Sequence, residues 1–260
     1  MQNYRKIKNE ISCKKNSFPS AQGYTLENKI SYSELEIFKI AINKQWLKRI
    51  ERNFPETALE IKNKKLSIEN YHEISDNLKH EEIWSKSERI LPKCFSNWFI
   101  TSNFAKDLEK KYGFFQISDE DNLGYPNIYW RLVRPRKSSD VGPLHRDAWF
   151  WELNNEFPKP AFNFSRLKVW IPIYIEKGFN GLLVEPFSQK RNDIKWSGEF
   201  RHGITKPSLI TPHSELNPIL LNTNIGETVV FNDNLIHGGA LNKGKKSRVS
   251  VEFTLLIKEK

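Results

Sequence analysis

Beyond Gly113 the chain breaks into about eight short runs rich in β-branched and aromatic residues, each closed off by Gly, Pro, Asn or Asp. They span residues 114–118, 127–134, 144–150, 167–175, 181–186, 219–222, 227–231 and 248–257. Parallel strands would need a crossover helix between each pair. No such alternation is present, so the texture excludes a doubly wound sheet and leaves an antiparallel sandwich or barrel. Residues 127–134 alternate in character, with Ile128, Trp130, Leu132 and Arg134 on one face and Tyr129, Arg131 and Val133 on the other. Residues 187–216 interrupt the pattern as a long, polar, turn-rich insert of the kind that often borders a site.

The first 112 residues carry a different period. Leu35, Phe38, Ile42, Trp46 and Ile50 recur at three- and four-residue spacing behind Ser33 and Glu36, which read as a capping box, and Pro55 stops the run. Further helical patterns cover residues 67–84 and 97–112, the latter stopped by Gly113. His72 and His80 lie in this part, two turns apart, and read as surface or packing residues. Residues 1–30 are polar with weak periodicity and read as a segment that wraps the surface or lacks fixed structure. The expectation is one domain over 1–260: a mainly helical part, 1–112, packed on a β core, 113–260. No linker or internal repeat divides it.

Within the β region one constellation needs a metal to make sense. The segment PLHRDAWFW carries His145, Arg146 and Asp147, and FNDNLIHGG carries His237. If residues 144–150 form a strand, His145 and Asp147 point together and Arg146 points away. Two imidazoles and a carboxylate on one face of an iron leave the opposite face open. Gly238 and Gly239 would leave room beside the metal. Arg248 and Ser250 share a face of the last strand, and an inward-pointing guanidinium needs a carboxylate.

These pieces, taken in order, resemble the Fe(II)/2-oxoglutarate-dependent oxygenases, and among them the phytanoyl-CoA dioxygenase-like branch. The resemblance covers about residues 125–257 and rests on LHRD, on KVWIPIYIEKGFNGLLVEPFSQKR, on GETVVFNDNLIHGG and on SRVSVEF. It implies a double-stranded β-helix (a jelly-roll, cupin-like core within an α+β chain) buttressed by the N-terminal helices. It also implies Fe(II) held by His145, Asp147 and His237, with 2-oxoglutarate and O2 as cosubstrates and hydroxylation of a C–H bond. By the same resemblance Arg248 and Ser250 hold the far carboxylate of 2-oxoglutarate, and Trp170, Lys168 and Tyr129 line its site. Arg131, Trp149, Arg146 and His202 are candidates for substrate contact. The chain departs from the family where Pro186-Phe187-Ser188-Gln189 replaces a PGSH-like turn. Asp147 distinguishes it from the related halogenases, which carry a small residue there.

Charge bears on the partner. Lys and Arg exceed Asp and Glu by enough to give a formal net charge of +10, which favours an anionic small substrate, sugar-, nucleotide- or acyl-linked. No recognition helix, zinc finger or aromatic–basic pattern accompanies the lysines, which argues against nucleic acid. The N-terminus lacks an apolar targeting core and no run suggests a membrane span. Cys13 and Cys94 are the only cysteines, so neither a disulfide framework nor a zinc ribbon is expected and a reducing cytoplasm is the natural compartment. The competing reading is a non-catalytic basic β-sandwich that binds glycan or nucleic acid and keeps a vestigial metal site. The sequence sets no oligomeric state.

Overall fold

A computed structural model describes residues 18–154, 157–201 and 204–259. In chain order, β1 (Tyr24–Lys29) leads into α1 (Tyr32–Asn53) and α2 (Pro55–Lys64). A series of 3-10 turns and the short α3 (His80–Ile83) precede α4 (Lys93–Phe99) and α5 (Asn103–Tyr112). Then follow β2 (Phe115–Ile117), β3 (Tyr129–Val133), α6 (Asp147–Leu153), β4 (Phe164–Tyr174) and β5 (Leu182–Val184). The chain closes with β6 (Trp196–Arg201), β7 (Ile204–Leu209), β8 (Ile219–Leu220), β9 (Glu227–Asn232), β10 (His237–Gly239) and β11 (Arg248–Lys258).

All named strand pairs are antiparallel. The main sheet runs β1-β9-β4-β11-β2, with β3 also on β11, and a smaller sheet runs β10-β5-β8. The hairpin β6–β7 stands apart. The last strand is the hub because both its faces are buried. Val249, Val251, Phe253, Leu255 and Ile257 pack into the large core under the helices. Alternation then sends Arg248, Ser250, Glu252 and Thr254 towards the smaller sheet. Registers carry the same rule outward, with Ser250 opposite Arg131 and Pro172, Glu252 opposite Tyr129 and Trp170, and Thr254 opposite Lys168.

Against that core lies α1, whose Leu35, Phe38, Ile42, Trp46 and Ile50 are all buried, as their spacing predicts. Its capping box is Ser31 with Glu34, two residues earlier than the expected Ser33 and Glu36. The earlier pair wins because Glu34 also accepts the Phe104 N–H (2.9 Å), tying the helix to the start of α5. The expected helix over 97–112 is two helices broken at 100–102, where Ser102 caps the second through the Ala105 N–H. Residues 67–84 form turns and a four-residue helix instead of one long helix. Their apolar side is buried as expected, including Ile68, Tyr71 and Ile74. Of the first 30 residues, 24–29 form an edge strand on β9, while 1–17 lie outside the described residues. No helix among the described residues is long and apolar enough to cross a membrane.

Candidate metal centre

The largest local correction falls on the site itself. Residues 144–150 are not a strand. His145 makes one antiparallel bridge to His237 (N to O 2.9 and 3.0 Å), and the chain then turns into α6 at Asp147. The Ala148 N–H reaches the Asp233 carbonyl at 3.0 Å, fixing where that helix begins. His145 and Asp147 still face together, but a bridge and a helix start orient them where strand alternation was expected to.

Candidate ligand atoms of His145, Asp147 and His237 all lie within 4.8 Å of one another. Asp147 Oδ2 is 3.3 Å from His237 Nε2, and Oδ1 is 3.6 Å from His145 Nε2. Each Nδ1 meets a backbone carbonyl, His145 at Pro143 O (2.8 Å) and His237 at Leu235 O (3.0 Å). A carbonyl can only accept, so both Nδ1 atoms carry the proton and both Nε2 lone pairs are free. Burial, and then the neighbouring His145, hold His237 down to about 4 against the pull of Asp147, so its ring is neutral at pH 7. Burial would raise Asp147, but Lys168, His237 and His145 outweigh it and keep the carboxyl ionised. Asp147 Oδ2 is buried without a hydrogen bond. With both rings in the neutral form, three lone-pair donors face one another, an arrangement that is costly unless a cation sits there. The donor set fits a divalent iron.

Aromatic rings wall the triad. Phe231 lies 4.5 Å from the His237 ring, and Phe150 meets His145 edge-on at 5.6 Å. Ser188 braces both histidine segments: its hydroxyl accepts the Ile236 N–H (2.8 Å) and its carbonyl accepts from Arg146 Nη2 (2.7 Å). It belongs to the divergent turn at 186–189, where Phe187 sits at φ 67°, a conformation suited to glycine. Gly238 does not leave room for a metal. A Cβ there would meet the Pro143 and Gly142 carbonyls at 3.1 and 3.2 Å, so its bareness lets the His145 segment cross. Gly239 is packed as well: a Cβ there would meet Val141 Cγ1 at 3.1 Å and Arg248 Nη2 at 3.6 Å.

Arg248 is 1% exposed, and its Nη1 donates to the Gly181 carbonyl. Nε has no partner. Burial, and then Arg131, lower its pKa to about 10, so it stays charged. Ser250 lies beside it, buried. Lys168 sits between carboxylates, 3.9 Å from both Asp147 Oδ1 and Glu120 Oε1, and donates to Thr254 Oγ1 at 3.0 Å. That hydroxyl in turn donates to Glu120 at 2.6 Å. Trp170 packs between the sheets with Tyr24, Leu182, Val184 and Phe231. Tyr129 is buried and donates to Asp121 Oδ2 (2.6 Å).

The substrate candidates scatter. Arg131 is on the inward face beside Glu252 at 3.6 Å. Arg146 is spent on the carbonyls of Ser188 and Arg191. Trp149 is 2% exposed and stacks on Trp196. His202 lies outside the described residues. Glu252, Thr254 and Glu120 were not anticipated, although the alternation that pairs Arg248 with Ser250 extends to 252 and 254. His80 is buried against Tyr71 and Asp140, a packing residue. His72 is half-buried, with Nδ1 at the Glu69 carbonyl and the Ser247 hydroxyl.

Comparison with known proteins gives fold-level likeness. No family model matches the sequence, and no curated protein matches it. Among solved structures, the apo form of ThoJ, a non-heme monooxygenase, is similar at TM-score 0.52 and 11% identity over 91% of this chain and 75% of that one. SnoK, a non-heme alpha-ketoglutarate-dependent carbocyclase from nogalamycin biosynthesis, is similar at TM-score 0.51 and 12% identity over 94% and 83%. EvdMO1 is similar at TM-score 0.52 and 12% identity, covering 94% of this chain and 49% of its own. The chain shares its fold with non-heme oxygenases.

Proposed function

We propose that this chain is one domain, a double-stranded β-helix buttressed by N-terminal helices, acting as an Fe(II)/2-oxoglutarate-dependent dioxygenase of the phytanoyl-CoA dioxygenase-like type. The observation that carries the reading is the convergence of two histidine Nε2 atoms and a carboxylate oxygen that has no hydrogen-bond partner. His145, Asp147 and His237 would hold the iron. Arg248, with its orphaned Nε, and Ser250 would take the far carboxylate of 2-oxoglutarate, with Lys168, Trp170 and Tyr129 as the lining. When bound, the iron with 2-oxoglutarate and O2 supplies insertion of one oxygen atom into a C–H bond, the other leaving in succinate alongside CO2. The chain's own part is placement. Backbone carbonyls fix both imidazoles, Lys168 steadies the Asp147 carboxylate, and the rings of Phe231 and Phe150 wall the triad.

The substrate in this reading is a small metabolite with an anionic group, for which Arg131 is the inward-facing cation not committed to the cosubstrate. A reducing cytoplasm suits the exposed free Cys94. Aerobic incubation with Fe(II) and labelled 2-oxoglutarate tests the reading: slow release of labelled CO2 is expected, lost in Asp147→Ala. A glycan- or nucleic-acid-binding sandwich would bind metal without that release, and it would give the buried Arg248 no role.

A further inference from the structure

The helix that begins at Asp147 has no side-chain cap of its own. Arg146, at the cap position, makes no such bond, so the first turn of α6 is fixed from outside, by the Ala148 N–H on the Asp233 carbonyl at 3.0 Å. Whatever holds Asp233 therefore bears on the direction of the Asp147 carboxylate. The Asp233 side chain is 7% exposed, and its Oδ2 accepts from Arg166 Nε at 2.5 Å. Its Oδ1 accepts from the Asn234 amide at 3.1 Å.

Arg166 holds the same helix a second time. Its guanidinium lies over the Trp151 ring, 4.9 Å from the centroid, and Trp151 is one turn beyond Asp147 on α6. Register explains why one strand can do both. Leu167, Val169 and Ile171 of β4 face the large core, so alternation turns Arg166 and Lys168 together towards α6. Arg166 meets Asp233 there, while Lys168 lies 3.9 Å from Asp147 Oδ1. Replacing a largely buried ion pair by hydrocarbon is often neutral for stability. What Arg166 and Asp233 contribute is direction: the pair joins β4 to the residue on which α6 starts.

We infer that Arg166 is a positioning residue for the metal centre: by holding the Asp233 carboxylate and the Trp151 ring it fixes the first turn of α6, and with it the aim of Asp147 at the two imidazoles. This rests on the triad being a metal site and adds to it a residue outside the ligand set. The test is titration of the full metal-free chain with Co(II), whose visible d–d bands report affinity and coordination together. Charge and position predict opposite signs for Arg166→Gln. Removing a nearby cation strengthens the binding of another cation if charge alone matters, whereas losing the aim of Asp147 weakens it. Binding should weaken about tenfold, with altered bands, the usual cost of losing a residue that orients a ligand. The double variant Arg166→Gln/Asp233→Asn keeps the net charge of the site and lets two amides hydrogen-bond in place of the ion pair. Its affinity should recover to within about threefold of wild type. Arg166→Lys keeps the charge but gives up the flat stack on Trp151, and it serves should Arg166→Gln not fold; it should bind about threefold more weakly than wild type. The inference is overturned if Arg166→Gln, or Arg166→Lys in its place, binds Co(II) at least as tightly as wild type with the same bands. It is equally overturned if the double variant stays as weak as the single one, since the hold on Asp233 would then be irrelevant. Either result leaves the metal-centre reading standing, because wild type still binds. No binding of Co(II) to wild type would overturn both.

Discussion

Arg248 shows how a single side chain can be poor for stability and necessary for a site. Its guanidinium is buried with an unpaired Nε and a neighbouring cation, an arrangement that a hydrocarbon of similar length would not disfavour. Arg248→Met is therefore expected to leave the unfolding free energy of the metal-free protein within about 1 kcal/mol of wild type. Binding of 2-oxoglutarate should weaken roughly tenfold to a hundredfold, the worth of a charge-assisted pair. Urea unfolding and cosubstrate titration on the same preparation check both halves. A large stability loss with unchanged affinity would mean that Arg248 serves the fold alone.

Two contacts between distant segments hold the pieces that carry the site. The bridge between His145 and His237 depends on Gly238, whose position admits the 142–144 backbone. Gly238→Ala must push that backbone outward by a few tenths of an ångström, and metal affinity should fall about tenfold while the fold survives. Competition against a chelator of known affinity measures this directly. The second holds the hairpin β6–β7 on α6, through the Trp149–Trp196 stack at 5.2 Å and 13°. Trp196→Ala should cost about 2 kcal/mol, below the full core value because Trp196 is partly exposed, and should open the hairpin to proteolysis. Cleavage mapped elsewhere first would place the weak point in another element. Both devices lie between segments far apart in the chain, so neither is visible in local spacing.

The whole molecule has an acid-sensitive joint away from the triad. His80 lies buried between Tyr71 and Asp140, which is itself paired to Arg134 at 2.7 Å, where the helical layer meets the loop after β3. Burial, against the pull of Asp140, lowers the His80 pKa to about 4. The folded state then binds fewer protons than the unfolded state between about pH 6.5 and 4, so this contribution is present above 6.5 and lost as pH falls. Roughly 2–3 kcal/mol of stability should disappear by about pH 4.5. His80→Gln should remove that dependence, so that the stability difference between wild type and variant changes across this window. A difference independent of pH would show that His80 does not titrate there.

Local spacing settled whatever depends on near neighbours. A period of 3.6 placed Leu35 through Ile50 on one buried face, and a period of 2 put Arg248 beside Ser250 and Tyr129 beside Arg131, because side-chain direction follows from backbone geometry alone. The same rule would have given Glu252 and Thr254 had it been followed two steps further. Tertiary structure decided the rest. The Glu34–Phe104 contact moved the helix cap, and the Asp233 carbonyl turned the segment at Asp147 into a helix. One bridge across more than ninety residues of chain, at about 3 Å, brought His237 to His145. Those outcomes depend on which buried faces meet and in what register, and that is set by packing between distant segments, which carries no local period.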